Sequence, residues 1–162
     1  MNRVIGAWSE NLPDALRGGR VVLSERDLAT DIPVPLHGRG DQVFLANGWL
    51  VPVDTKRRKS ESVYMKDVIQ LSVYAFILAR QSYSLFGRNL PVSGTGFIRI
   101  SNSARTVYKP VTLLSSAQVI SLWNRYWMLR GEGLRAAPRH PHERACVSCP
   151  KRSNCPVGQR IR

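Results

Sequence analysis

Two apolar runs separated by the dipeptide Asn47-Gly48 constrain the fold of this chain more than any other feature. The first run, DQVFL, occupies residues 41–45, and the second, WLVPVDTK, occupies residues 49–56. Asn-Gly between such runs is a preferred sequence for a tight two-residue turn, so we predict a β-hairpin here. Pro52 lacks an N–H and fits the second strand where that side of the backbone is unpaired. This strand ends in charged residues, which a strand with a purely structural role does not need.

Further strands and two helices are predicted around the hairpin. Residues 63–80 repeat apolar side chains at the helical period. The apolar stripe of this helix comprises Met65, Ile69, Val73, Phe76 and Ile77. A second helix is predicted over residues 117–130, after the capping residues Ser115-Ser116 and before Gly131. The remaining predicted strands are residues 21–23, 96–100 and 106–114. This order predicts an α/β fold in which helices flank a mixed central sheet.

The length of the chain corresponds to about one domain. It has 162 residues, and 43% of them are hydrophobic, which is enough to build a single core. We divide it into an N-terminal segment (1–20), a core (21–130) and a basic, cysteine-rich tail (131–162). No apolar run approaches the ~20 residues that span a bilayer, and the first residues contain no apolar signal-peptide core. We therefore expect a cytoplasmic protein with no membrane partner.

The charge balance points to a polyanionic partner. There are 24 Lys and Arg residues against 11 Asp and Glu residues, a formal net charge of +13. Such an excess favours binding to nucleic acid, because each phosphate that is neutralised releases counterions. Anionic membranes also attract basic proteins, but we find no basic amphipathic helix in the sequence.

Two carboxylates of the hairpin form a candidate metal site. Asp41 begins one predicted strand and Asp54 ends the next, so the two side chains can lie side by side on strands ~4.8 Å apart. Carboxylates are hard oxygen ligands that suit Mg²⁺ or Mn²⁺. The backbone carbonyl of Thr55 is a further candidate ligand. The alternative is that both acids merely end strands.

Three more polar residues are predicted to support these carboxylates. Lys56 follows Asp54 by two residues on a strand, so both side chains point to the same face. A lysine there can stabilise an attacked phosphate or polarise a water molecule. Gln70 and Tyr74 are four residues apart on the first helix and therefore share a face, where they can bond to a phosphate or to Lys56. Alternatively, they belong to a partly buried helix face without a role in chemistry.

The three cysteines lie together near the end of the chain. Cys146, Cys149 and Cys155 are spaced as C-x2-C-x5-C, which suits an iron–sulfur cluster or zinc. Metal binding would order a tail that is rich in Pro and Arg and cannot pack by itself. His140 or His142 can complete a zinc site, or all of these residues can belong to a tail without metal. His37 is a weaker candidate for an additional ligand near Asp41.

Two further groups of residues can each be interpreted in two ways. The run Arg57-Arg58-Lys59 follows the candidate site directly and is either a solvated face or a contact surface for a DNA backbone. The aromatic residues of the second helix either face the core, which their spacing favours, or form a platform on which single-stranded bases stack. They are Trp123, Tyr126 and Trp127, with Met128 beside them.

The order of these motifs resembles the PD-(D/E)XK nuclease superfamily. The sequences GRGD (38–41), VDTK (53–56), QLSVY (70–74) and the cysteines of the tail (146–155) are similar to those of RecB-like exonucleases, including small CRISPR-associated ones. The resemblance implies a restriction-endonuclease-like core. It also implies that Asp41 and Asp54 bind the metal, that Lys56 assists hydrolysis, and that the helix with Gln70 and Tyr74 supports the site and contacts DNA.

The resemblance also implies a cofactor and a function. In that family the tail cysteines bind a [4Fe–4S] cluster together with a cysteine far upstream, but no cysteine precedes Cys146 here. The N-terminal part of the family's domain also looks shortened. We therefore expect a Mg²⁺- or Mn²⁺-dependent deoxyribonuclease that acts on single strands or DNA ends, in CRISPR adaptation or DNA repair. The alternatives are a DNA-binding subunit with little activity and a zinc-ribbon-like nucleic-acid module.

Overall fold

A five-stranded mixed sheet forms the core of the unit Met1–Ser121. The computed structural model describes residues 11–103, 105–131, 143–155 and 157–160. The strands are β1 (Arg20–Thr30), β2 (Leu36–Ala46), β3 (Trp49–Arg57), β4 (Thr95–Ser101) and β5 (Thr106–Thr112). They lie in the order β1-β2-β3-β4-β5, and β3 and β4 are parallel while the other neighbours are antiparallel. The predicted mixed sheet is confirmed.

The helices fall into two compact units of the chain. The longest helix, α1 (Met65–Phe86), belongs to the unit Met1–Ser121. Helix α2 (Ser116–Gly131) begins in that unit and continues into the second, Leu122–Arg162, which also holds the short helix α3 (Glu143–Val147). Single turns of 3-10 helix occur at Asp14–Leu16, Arg152–Asn154 and Gly158–Arg160. Within the described residues, no helix is both long enough and apolar enough to cross a bilayer.

The predicted hairpin is present as β2 and β3. Its turn residues Asn47 and Gly48 have φ angles of 50° and 80°, the left-handed conformations that a tight hairpin turn requires. Pairing runs from Ala46 opposite Trp49 to Gln42 opposite Val53. The backbone pairing of the two strands ends at Gln42 and Val53, and β2 begins six residues before Gln42.

Strand β1 is the element that the sequence pattern predicts least well. The sequence predicts a strand only over residues 21–23, but β1 extends over 11 residues. Its second half includes the charged run Glu25-Arg26-Asp27, all three exposed, and only Leu28 is buried in this strand. Because β1 lies at the edge of the sheet, little of its surface meets the core and its sequence shows no apolar alternation.

Helix α1 connects the parallel strands β3 and β4 and packs on one face of the sheet. Its buried face includes Leu71, Tyr74 and Leu78, and Leu71 and Tyr74 contact a cluster with Ile98 and Ile100 of β4. The predicted stripe is wrong at Met65, which is 67% exposed, whereas Phe76 and Ile77 of the stripe are buried. Gly96 permits the close approach of this helix, since a Cβ there would lie 2.7 Å from Cδ2 of Leu71.

Candidate functional site

The charged end of β3 faces helix α1. Successive residues of a strand point to opposite faces, so Asp54, Lys56 and Arg58 share one face. All three contact polar residues of α1. The opposite face of β3 places Val51 and Val53 in an apolar cluster with Leu16, Phe44, Ala46 and Phe97. The strand is therefore held by its apolar face while its polar face is presented to the helix.

Asp54 is the most buried acid of the site. Its side chain is 1% exposed, and its Oδ2 atom lies 2.8 Å from Nζ of Lys56. Its Oδ1 atom accepts a long hydrogen bond of 3.4 Å from Nε2 of Gln70. Among the described residues, Oδ2 accepts no hydrogen bond of regular geometry despite its burial. Burial raises the pKa of Asp54, with nearby Asp41 adding to the effect and Lys56 opposing it.

Asp41 lies on the neighbouring strand and contacts the backbone of β3. Its Oδ2 atom accepts a hydrogen bond of 2.6 Å from the backbone N–H of Thr55. Extending the hairpin register by one pair beyond Gln42 and Val53 brings Asp41 opposite Asp54. The structure thus brings the two predicted carboxylates together. At Thr55 it is the backbone N–H that contacts Asp41, whereas the carbonyl is the candidate metal ligand.

Gln70 links the acid, the lysine and Tyr74. Its Oε1 atom accepts a hydrogen bond of 3.0 Å from Nζ of Lys56, and its Nε2 atom donates one of 2.8 Å to the hydroxyl of Tyr74. Lysine can only donate, so it must face the amide oxygen, which leaves the NH2 group for Asp54 and Tyr74. The structure therefore joins all four side chains in one network.

A second ion pair lies beside this network and was missed by the sequence analysis. NH2 of Arg58 lies 2.8 Å from Oδ2 of Asp67, and these side chains are 17% and 1% exposed. The Arg58 guanidinium also lies 4.8 Å from the ring centre of Tyr64. Burial by itself would raise the pKa of Asp67, but the N–H of Tyr64 and the charge of Arg58 outweigh it, so the pKa is lowered.

This ion pair separates Arg58 from the rest of the run 57–59, for which the sequence left open a solvated face or a DNA-contacting surface. Arg58 points toward α1, whereas Arg57 and Lys59 are exposed. The alternation that places Asp54 and Lys56 on one face already places Arg58 there. Asp67, in the first turn of the helix that follows, is the acid within its reach, so the pair could have been found from the sequence.

The donor set at the end of β3 fits a small divalent cation. Mg²⁺ is usually held by one or two carboxylates and completes its shell with water and substrate phosphates. Asp54 Oδ2 is a buried carboxylate oxygen without a regular hydrogen bond, and Asp41 lies beside it. Within residues 11–103, 105–131, 143–155 and 157–160, no group of three or more His, Cys, Asp or Glu residues is placed to hold a metal ion.

The three cysteines of the tail are not joined by disulfide bonds. Cys146 is buried, and Cys149 and Cys155 are half-buried, in a series of turns closed by backbone hydrogen bonds. In the part of the chain that the structure describes, they do not form a metal-binding group. His140 and His142 lie outside the described residues. His37 is exposed on β2.

In the described part of the chain, Tyr126 and Trp127 of α2 lie at the surface and Trp123 is half-buried, so these two exposed rings depart from the core-facing interpretation that their spacing favoured. Tyr126 is 52% exposed and Trp127 is 47% exposed. Within this helix only Val119 is buried. The guanidinium of Arg130 lies 5.9 Å and 5.6 Å from the ring centres of Tyr126 and Trp127. Helical spacing alone cannot distinguish a core stripe from an exposed one, because both repeat every three to four residues.

This fold and site define a class of protein. A mixed sheet that carries an Asp-x-Lys pair at the end of one strand, a second acid on the neighbouring strand and a supporting Gln and Tyr on the next helix is that of a restriction-endonuclease-like nuclease domain. Residues 1–156 match the family model of the PD-(D/E)XK nuclease superfamily. The chain belongs to this superfamily, whose members are nucleases.

Comparison with solved structures supports the fold. The crystal structure of SSO0001 is similar to this protein with a TM-score of 0.54 and 16% sequence identity. The match covers 84% of this chain and 60% of that one, so the chain covers less than two thirds of that structure. Comparison with curated protein sequences gives no significant match.

Proposed function

We propose that this protein is a Mg²⁺- or Mn²⁺-dependent deoxyribonuclease that degrades single strands or DNA ends. The observation that carries the proposal is the burial of the Asp54 carboxylate. A carboxylate that is 1% exposed is costly to bury in its charged form. Its Oδ2 atom has the Lys56 ammonium 2.8 Å away but, among the described residues, no hydrogen bond of regular geometry, and Asp41 adds a second negative charge nearby, so a cation bound here would compensate charge that Lys56 balances only in part.

Each residue of the network has a task in this reaction. Asp41 and Asp54 would hold the cation, which when bound supplies charge stabilisation at the phosphate and lowers the pKa of a water molecule. Lys56 brings a positive charge next to the same place and stabilises negative charge that develops on the attacked phosphate. Gln70 holds Nζ of Lys56 through a hydrogen bond of 3.0 Å and so limits the positions that this charge can take. Tyr74 in turn holds Gln70.

The proposal is tested by cleavage of end-labelled DNA with Mg²⁺ or Mn²⁺ and with neither. We expect metal-dependent release of nucleotides from linear single strands and from duplex ends, and no cutting of circular single strands. The change Asp54→Asn keeps the shape of the side chain and removes the charge, and it should abolish cleavage while DNA binding persists. Asp31→Asn alters an exposed acid outside the site and serves as the matched control. Cleavage that survives Asp54→Asn in pure protein would contradict the assignment.

A second candidate function is a DNA-binding subunit with little activity of its own. It is favoured by the carboxylate of Asp41, which already accepts a hydrogen bond of 2.6 Å from Thr55, and by the small number of acids at the site. The same assay separates the two functions. A folded protein that binds DNA but shows no metal-dependent cleavage is such a subunit.

For the tail, we propose that Cys146, Cys149 and Cys155 bind an iron–sulfur cluster or zinc when the metal is supplied. The C-x2-C-x5-C spacing supports this, and metal sites of this kind often form only on binding. Anaerobic purification followed by iron, sulfide and zinc analysis distinguishes the cofactors. Cys149→Ser should lower the bound metal, and an unchanged metal content would contradict the proposal.

The biological setting that we propose is a cytoplasmic complex for CRISPR adaptation or DNA repair. The resemblance of the ordered motifs to RecB-like and CRISPR-associated exonucleases supports it, as does the net charge of +13 for a DNA partner. Affinity capture of the tagged protein from its native cells, with nuclease treatment to remove DNA-mediated contacts, tests for such partners.

A further inference from the structure

Gly38, the first residue of the sequence GRGD, lies directly against the ring of Tyr74. A Cβ atom at this position would lie 2.6 Å from Cε1 of Tyr74 and 3.4 Å from its Cδ1. Carbon atoms in contact prefer separations of about 3.5–4.0 Å, so any larger residue must displace the ring. The backbone of β2 thus forms one wall of the space that holds Tyr74.

The ring of Tyr74 cannot be displaced without consequence for the site. It is 8% exposed, and on the side of the sheet it contacts an apolar cluster with Leu71, Ile98 and Ile100. Its hydroxyl accepts the hydrogen bond of 2.8 Å from Gln70. A side chain at Gly38 would push the ring, and the hydroxyl would move with it.

We propose that Gly38 is a positioning residue for the catalytic network. The absence of a side chain at Gly38 lets Tyr74 lie where its hydroxyl orients the Gln70 amide, and Gln70 in turn contacts both Lys56 and Asp54. The catalytic consequence of this arrangement rests on the proposed nuclease function. The contact between Gly38 and Tyr74 and the orientation of Gln70 do not depend on the proposed nuclease function.

The requirement for glycine is steric rather than conformational. Neither Gly38 nor Gly40 has a positive φ angle, so alanine suits the backbone at both positions. A Cβ atom at Gly40 would lie 3.6 Å from Cδ1 of Leu28, an ordinary contact. Gly40→Ala is therefore a matched control within the same motif.

The first experiment follows the side-chain amide of Gln70 by ¹⁵N NMR in the metal-free protein. The signal is assigned by its loss in Gln70→Leu. We expect Gly38→Ala to shift this signal and Gly40→Ala to leave it in place. In a Tyr74→Leu background, which removes the clashing Cε1 atom, adding Gly38→Ala should cause no further shift. An unshifted signal in Gly38→Ala, or the same added shift in both backgrounds, overturns the inference.

If Gly38→Ala alone does not fold, the Tyr74→Leu background decides the question. A fold restored by the additional removal of the ring supports the contact, because only the clash has been relieved. A double variant that stays unfolded overturns the inference, because the glycine is then needed for another reason.

The second experiment measures cleavage of labelled single-stranded DNA with Mn²⁺ under single-turnover conditions. We expect Gly38→Ala to slow cleavage roughly 10- to 100-fold, as misplacement of catalytic groups by about 1 Å does. Gly40→Ala should cleave like the unaltered protein. Slower cleavage without a shifted Gln70 signal overturns the inference, and so does a shifted signal with an unchanged rate. If the unaltered protein does not cleave, the proposed function fails while the NMR comparison still tests the contact.

Discussion

The side chains at the end of β3 and just after it that face α1 form a row of one acid followed by two basic residues. Asp54, Lys56 and Arg58 follow one another at two-residue intervals, and each has a partner on the helix or in the row itself. Buried charges are tolerated only when such partners are present, because removing a charge from water costs several kcal/mol. At the scale of residues, the same arrangement therefore supports both stability and the proposed chemistry.

Lys56 should be needed for the rate of cleavage more than for DNA binding. Replacing it in Lys56→Gln removes the positive charge 2.8 Å from Asp54, so we expect cleavage to slow by roughly 10²–10³-fold. Single-turnover kinetics together with a filter-binding assay separates the two effects. Lys66→Gln removes an exposed charge from the first turn of α1 and serves as the control. A comparable loss of cleavage rate in both variants would indicate a general effect of removing positive charge and would contradict a specific role for Lys56.

Arg58 should be needed for stability. The change Arg58→Met leaves the carboxylate of Asp67 buried without its charged partner, and we expect the free energy of unfolding at neutral pH to fall by about 3 kcal/mol. Urea unfolding measures this difference.

The same pair predicts a pH dependence with a definite sign. The pKa of Asp67 is lowered in the folded protein, so its contribution is complete above the ordinary pKa of an aspartate and is lost as the pH falls through the lowered value. The difference in the free energy of unfolding between the unaltered protein and Arg58→Met should therefore disappear in that acidic range. A difference in the free energy of unfolding that persists at the most acidic pH would show that Arg58 stabilises the protein through packing rather than through its charge.

At the scale of elements, helix α1 connects the site to the rest of the sheet. Ser72 on this helix is 1% exposed, and its hydroxyl accepts a hydrogen bond of 2.9 Å from the backbone N–H of Leu114. It also donates one of 2.6 Å to the carbonyl of Val68. The segment that leads from β5 to α2 is thus tied to the middle of α1.

Removing that tie should destabilise the protein without altering the site. In Ser72→Ala the N–H of Leu114 loses its partner, so we expect a loss of about 1–3 kcal/mol in the free energy of unfolding. Ser84→Ala removes an exposed hydroxyl from the same helix and should have little effect. Thermal or urea unfolding of the two variants provides the comparison, and equal stabilities would contradict the role given to this hydrogen bond.

The elements that the sequence predicts well are those whose signals are local. The hairpin follows from Asn47-Gly48, and the proximity of Asp54 to Lys56 follows from the two-residue repeat of a strand. The extent of β1 and the exposure of Tyr126 could not be predicted in this way, because they depend on what packs against an element rather than on its own residues. The network around Gln70 is predictable only in part: the sequence places its residues on β3 and α1, but their contacts depend on how α1 packs on β3.

At the scale of the whole molecule, the net charge of +13 should dominate DNA binding. We expect the affinity for single-stranded DNA, measured in Asp54→Asn to prevent cleavage, to fall linearly with the logarithm of salt concentration. If Arg57 contacts a phosphate, Arg57→Gln should reduce the slope by about 0.7, the value for one contact on a single strand. Arg17→Gln, which alters an arginine paired with Asp14, is the control. Affinity that does not depend on salt would contradict an electrostatic interface.

The two outer strands of the sheet have a consequence for how the protein behaves at high concentration. An open sheet edge can add strands from other molecules and so begin aggregation. Strand β1 carries the exposed charges of Glu25, Arg26 and Asp27, and β5 contains Pro110, which has no N–H to offer. Both edges therefore discourage further strand pairing, and solutions of the folded protein should stay free of amyloid-like assemblies even when concentrated.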